Sequence, residues 1–399
     1  MLVQDLAAVT ADLLQAVCAG RWPESQTLEF KREAPGSSDK DKHELLKDVC
    51  ALANSDGGDI VFGIGEVNGV ASDITPITCE PADSLMRRIA QTLEAGTDPR
   101  ILGTRMQRIE VAAGYLLVMR VPPSYQGPHA VKVNSARRFV MRNGTTTSDL
   151  SFDQLRMAFD RTASLTARAR KFIQERTDGL ARRISPKPLI HGPTRALHFV
   201  PIGGLAGRQA IDLRALHGQS FMRLLESEWG GGSRVFNLDG LVVYPGGTPD
   251  DGHYGYLQVF RDGTFEAASL AGGSFQQHPS MPDKLVIWSL DMTKWFRERS
   301  TTILNLAKDF GLSGPAVVSF SMLNVEGYEL SLDAVFPRGG YAKPDRAHLM
   351  APEVWVENLE SASVDDFARP LLDTLWQGFG MDHCQDYDAT TGAYRPRQR

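Results

Sequence analysis

Cysteine is scarce in this chain. Cys18, Cys50, Cys79 and Cys384 are four residues in 399, far apart, and none belongs to a CxxC pair. That excludes a disulfide-stapled scaffold and a cysteine-based zinc centre. Long apolar runs are missing as well. No stretch approaches the ~18 uninterrupted apolar residues of a membrane-spanning helix, so no membrane partner is expected. Met1–Gly20 carries Asp5 and Asp12 where a secretory leader would have a basic start and an apolar run. A cytoplasmic location follows by elimination. An excess of positive charge is lacking too, the formal net charge being −5. This excludes attraction of the whole molecule to phosphate, so a nucleic-acid surface has to be a local patch. No GK[ST] phosphate loop and no GxSxG elbow occurs, and the nine histidines show no HxH or HxxxH spacing. Nucleotide hydrolysis and triad hydrolysis therefore have no local support.

What is present is an ordinary globular composition, 42% hydrophobic and 23% charged. At this length it implies two or three domains. Apolar residues at helical spacing (Leu6, Val9, Leu13, Leu14, Val17) predict an amphipathic helix over residues 2–19. Thr27–Lys31 alternates as a short half-buried strand. After a charged loop, Glu33–Lys42, a helix is expected over His43–Ala53 with Leu45, Leu46, Val49 and Leu52 inward. Asn54–Gly58 is a turn signal, and Ile60–Ile64 reads as a central strand. Then come a helix near Ala82–Leu93, strands at Met106–Val111, Tyr115–Val121 and Arg138–Arg142, and a helix at Ser151–Ala163 capped by Ser151.

From 161 to 187 eight Lys/Arg stand against Glu175 and Asp178, a net of +6, which reads as a basic helical hinge. Beyond it, strands are expected at Ala196–Pro201, Val235–Tyr244, Tyr254–Phe260, Lys284–Leu290 and Ala316–Leu323. Helices are expected at Ser220–Glu228, Thr293–Phe310 and Val364–Gly378, and a frayed tail after Asp386. The fold class is α+β. The predicted domains are residues 1–160, a basic helical hinge over 161–188, and a second α+β domain over 189–399 without an assigned role.

The chemistry concentrates in four segments: Glu24-Ser25-Gln26-Thr27-Leu28-Glu29-Phe30-Lys31, Ala51–Gly58, Ile60–Glu66 and Phe139–Thr145. In this order and spacing they resemble the Schlafen-type AlbA-like domain, over about residues 20–160. The resemblance implies a nucleic-acid-binding fold. In nuclease members of that family two glutamates and an aspartate form a metal site that cuts structured RNA such as tRNA. It maps the two glutamates onto Glu24 and Glu29. The third carboxylate falls on Glu66, a glutamate where an aspartate is expected. The implied ion is Mg²⁺ or Mn²⁺, with no organic cofactor, and the implied arrangement includes a homodimer that pairs two such domains.

Elementary electrostatics allows an acidic centre without demanding one. Two carboxylates ~6 Å apart repel by ~3 kcal/mol at an effective dielectric of ~20, which a cation or a lysine between them offsets. Lys31 shares a strand face with Glu29 by period 2 and is placed to stabilise developing negative charge. Lys47, Arg137, Arg138, Arg142, Asn143 and Thr145 are candidate phosphate contacts. The same residues also fit a solvated sheet face, with Glu29 paired to Lys31 or Lys47 and the arginines guarding a strand edge. Two functions stand side by side. One is a nucleic-acid-binding protein with metal-dependent endoribonuclease activity. The other is a non-catalytic DNA- or RNA-binding regulator whose C-terminal domain senses a ligand or partner. A nucleotide-binding ATPase ranks last.

Overall fold

The structure, a computed structural model, describes the chain except residues 1, 3–5, 134–135, 208–210, 218–231, 246–250, 276–282, 313, 333–341 and 397–399. It divides into two compact units, Met1–Ser164 and Leu165–Arg399, both α+β. The helix expected at Ser220–Glu228 lies outside the described residues. Among the described residues no helix is long and apolar enough to cross a membrane.

In the first unit, helix α1 spans Ala11–Ala19, not residues 2–19, because the Thr10 hydroxyl accepts from the Leu13 N–H and starts the helix there. Strand β1, Leu28–Lys31, is followed by α2, Asp39–Ala53. This helix begins earlier than the apolar pattern suggested, since Ser38 and Asp41 form a reciprocal capping box. Strand β2 is Gly58–Phe62, and the expected single strand through Ile64 is broken at Gly63, whose φ is +97°. β3 (Ile64–Glu66) therefore leaves to pair with β4 (Ala71–Ile74). Next come α3 (Ala82–Gly96), β5 (Thr97–Asp98), β6 (Arg105–Val111), β7 (Gly114–Val121), β8 (Ala130–Val133), β9 (Ala136–Asn143) and β10 (Thr146–Asp149). One sheet has the order β1-β2-β7-β6, with β1 and β2 parallel, and a second has the order β10-β9-β8-β5.

The first sheet is buried on both faces. Leu28, Phe30, Val61, Leu116 and Val118 join α1 in one core. Ile60, Phe62, Leu117 and Met119 join α2, α3 and the second sheet in another. Because side chains alternate along a strand, Glu29 and Lys31 belong to the face that meets α2. Helix α4, Phe152–Ala181, starts in a Ser151–Gln154 capping box. Residues 161–181, most of the expected basic helical segment, continue this helix without a break.

In the second unit, strands β11 (Thr194–Pro201), β12 (Gly232–Phe236), β13 (Gly240–Pro245), β14 (Gly255–Phe260) and β15 (Phe265–Leu270) join β18 (Ala316–Leu323) and β20 (His348–Met350). The sheet order is β12-β13-β14-β15-β11-β18-β20, and β21 (Val354–Val356) also pairs with β18. A smaller sheet joins β16 (Gly272–Phe275), β17 (Lys284–Trp288) and β19 (Glu329–Ser331). The stretch Val235–Tyr244, expected as one strand, is a hairpin, because Asn237 turns the chain by accepting the Gly240 N–H on its side chain. Leu197, Phe199, Leu257 and Phe265 pack with the helices Ser289–Asp309 and Asp365–Gln377 in the largest core. The tail up to Pro396, expected to fray, is held: Asp388 accepts the N–H groups of Thr390 and Thr391, and the Arg297 guanidinium lies 4.0 Å from the Tyr394 ring centroid.

Candidate nucleic-acid interface

Three of the four sequence segments, 24–31, 51–58 and 139–145, converge on one locus of the first unit, and Arg142 is its centre. This side chain is 1% exposed. It donates to the carboxylate of Glu29 and to the backbone carbonyls of Ser25 (3.0 Å), Leu28 (3.3 Å) and Gly144 (3.2 Å). Its own backbone N–H donates to Ser55 Oγ at 2.9 Å. Gln26 closes the ring: its amide donates to the Arg142 carbonyl at 3.0 Å and accepts the Gly144 N–H at 2.7 Å. Asn54 donates to the carbonyls of His129 and Val140, each at 2.8 Å. The glycines next to it are required. Gly57 has φ +69°, and a Cβ there would lie 2.6 Å from Pro123 N; one on Gly58 would lie 2.5 Å from the Thr27 carbonyl oxygen. Arg142, expected as a phosphate contact, is thus an internal clamp. Each of its three nitrogens already donates inside the protein and the side chain is buried, so it does not present itself to a ligand.

Glu29 is 9% exposed, so it does not stand on a solvated face. Burial raises its carboxyl's pKa, but the charges and hydrogen bonds of Lys31 and Arg142 outweigh that and hold it below the ordinary value. Lys31 Nζ lies 2.7 Å from Glu29 Oε1 and 2.9 Å from Asp48 Oδ2. Burial opposes the ammonium charge, yet the two carboxylates raise its pKa well above the lysine norm. Asp48 is the member whose carboxyl is lifted, by burial and then by the charge of Glu29. Asp48 escaped the sequence reading although a signal existed: it sits three residues after Leu45 and four before Leu52, inside the apolar stripe of α2. A carboxylate in that stripe has to find a cation.

The three carboxylates assigned to a metal do not form one site. Glu24 Oε1 accepts the Phe30 N–H at 2.9 Å, and its pKa is raised by burial and then by the charges of Glu29 and Glu66. Glu66 turns back onto its own hairpin, where Oε2 accepts the Gly69 N–H at 2.5 Å. The bend at Gly63 that diverts β3 into this hairpin is why the expected register fails. Both oxygens of Glu29 already face cations of the chain. Among the described residues no group of three His, Cys, Asp or Glu side chains is arranged to hold a metal ion, so these residues do not fit the three-carboxylate centre.

The remaining candidates are exposed. Arg137 pairs with Asp98 at 2.5 Å and Arg138 with Asp149 at 2.6 Å, both well hydrated. Lys132 bears electrostatically on Asp98, and Lys47 on Asp149. These four cations stand against two carboxylates. Asn143 and Thr145 are exposed at the β9–β10 turn.

Residues 24–151 match the family model described as Schlafen, AlbA_2, which lies within the first unit. The resemblance read from the four motifs holds over those residues. Among solved structures the chain is similar to the DIP2311 protein from Corynebacterium diphtheriae, at 18% identity and a TM-score of 0.26 over 34% of this chain and 28% of that one. It is also similar to the N-terminal domain of a putative ATP-dependent DNA helicase RecG-related protein from Nitrosomonas europaea. That match has 22% identity and a TM-score of 0.26 over 35% of this chain and 90% of that one. The chain thus spans well under two thirds of the first of these. A comparison with curated proteins finds no match.

Proposed function

We propose that the N-terminal unit binds structured RNA or DNA through phosphate contacts from Lys47, Arg137, Arg138 and the Asn143–Thr145 turn. The observation that carries this reading is the Schlafen, AlbA_2 match over residues 24–151. The exposed ion pairs support it physically. Hydrated surface pairs contribute little to stability, so a phosphate displaces Asp98 or Asp149 from its arginine at little cost. The sharper reading, a metal-dependent endoribonuclease, lacks the ligand geometry described above. A binding module coupled to a ligand- or partner-sensing second unit fits the arrangement better.

The test is fluorescence anisotropy of the full chain with a labelled tRNA and a labelled duplex across a salt series. If three cations contact phosphates, a log–log slope near −0.9 per contact predicts a loss of roughly 40-fold between ~50 and ~200 mM salt for a duplex. The triple variant Lys47→Ala, Arg137→Ala, Arg138→Ala should remove most of that slope. Absence of binding at low salt, or affinity indifferent to salt, overturns the proposal.

A further inference from the structure

We propose that the acidic locus of the N-terminal unit is a metal-independent ion cluster in which the Lys31 ammonium holds the place of a divalent cation and Asp48 positions it. The geometry is specific. Glu29 Oε1 and Asp48 Oδ2 lie 2.7 and 2.9 Å from one Nζ, so a single cation bridges the two carboxylates, and that cation is covalently part of β1. The second oxygen of Glu29 faces the Arg142 guanidinium, which is immobilised by three backbone carbonyls. An entering Mg²⁺ would have to strip its own tightly held water and displace an ammonium that two carboxylates stabilise. It would also sit close to the fixed positive charge of Arg142.

Two further features point the same way. Glu24, the remaining carboxylate beside Glu29, spends one oxygen on the Phe30 backbone N–H. Lys31 itself is 38% exposed, unlike the 1% of Arg142, so the one cation of the cluster that meets solvent is an amine. Asp48 is a positioning residue. It comes from α2, and its contact fixes the lysine in the bridging place and keeps it from swinging away from β1.

This inference does not depend on nucleic-acid binding, because its readout is the ion itself. Mn²⁺ is titrated into the full chain with free ion followed by electron paramagnetic resonance, for wild type, Lys31→Met, and Lys31→Met combined with Asp48→Asn. Wild type should take up no stoichiometric Mn²⁺. Lys31→Met, which keeps the stem and removes the charge, should gain about one ion per chain, and the double variant should lose it again. One Mn²⁺ per wild-type chain that disappears in Asp48→Asn overturns the proposal. So does a folded Lys31→Met variant that takes up none. Should Lys31→Met fail to fold, the wild-type lysine ammonium resonances in ¹⁵N NMR decide. A slowly exchanging Lys31 signal unmoved by Mg²⁺ supports the proposal, and one that shifts with a saturating titration refutes it.

Discussion

Replacing Arg142 separates the two roles a motif arginine can have. If it served phosphate, Arg142→Met would weaken nucleic-acid binding and leave the fold alone. The structure predicts the reverse order of effects. The guanidinium is 1% exposed, it neutralises a carboxylate that is 9% exposed, and it satisfies the carbonyls of Ser25, Leu28 and Gly144. Removing one partner of a buried pair typically costs ~3–5 kcal/mol, because the other charge stays behind. Methionine fills much of the volume, so no large cavity adds to that figure. For a unit of this size about 2–4 °C per kcal/mol applies, which puts the loss at roughly 6–20 °C in the melting of the first unit. Hydrogen exchange resolved by peptide on the full chain should place the loosening at residues 24–31 and 139–149. The control is Arg138→Met, whose exposed pair with Asp149 contributes at most ~1 kcal/mol; it should melt like wild type. An Arg142→Met protein with unchanged melting and a selective loss of nucleic-acid affinity refutes the clamp.

Further outcomes follow from the same geometry. Gly57→Ala should destabilise the first unit by at least ~1 kcal/mol, since it strains a positive φ and drives a methyl against Pro123 and Val121; unchanged urea midpoints would show that the turn tolerates a side chain. In the second unit Glu266 is fully buried, which alone would raise its pKa, but hydrogen bonds from Arg176 and His198 bring it down to about 2. A depressed carboxyl contributes stability above its ordinary value of 4.5 and loses it as pH falls toward 2. Wild type should therefore show a declining urea midpoint across that window, and Glu266→Gln a flatter one; parallel curves would exclude the linkage. Glu29→Gln should lower stability, because it leaves Lys31 and Arg142 facing a neutral amide; circular dichroism melting checks it.

Much of the first unit was legible. Apolar periodicity located α3, β6 and β7, and the turn residues at 54–58 announced a helix-to-strand reversal whose glycines have the contacts such a turn needs. Three kinds of information were not legible. Capping at Ser38 and Thr10 moved helix starts by several residues, because one side-chain hydrogen bond outweighs weak propensity at a terminus. Gly63 split an apolar run that looked continuous, and with that the register of Glu66 was lost. Burial of charge was the third. The alternation Leu28-Glu29-Phe30-Lys31 marks two faces, but it cannot say that the polar face lies under α2. Pairing of Glu29 with Lys31 was one of two readings the residues allowed, and the depth of that pair decides between structure and chemistry.

The same limit operates in both units and points to where function is to be sought. Arg120 chelates Asp59, itself 0% exposed, at 2.7 and 3.0 Å; Arg176 forks onto Glu266 at 2.7 and 2.5 Å, where Tyr256 OH adds a bond of 2.6 Å. Arg142 is likewise committed to Glu29, through a single contact from Nη1 to one carboxylate oxygen. In a linear sequence these arginines are indistinguishable from Arg137 and Arg138, yet their guanidinium groups are committed to carboxylates inside the protein. Arg is suited to this use, since its planar fork satisfies a carboxylate with little further ordering and it cannot shed its charge. A basic count taken from the sequence therefore overstates the charge available to a polyanion. Around the second sheet the charge that remains at the surface includes Lys47, Lys132, Arg137 and Arg138, the two arginines in hydrated ion pairs, and a phosphate backbone competes best for such groups.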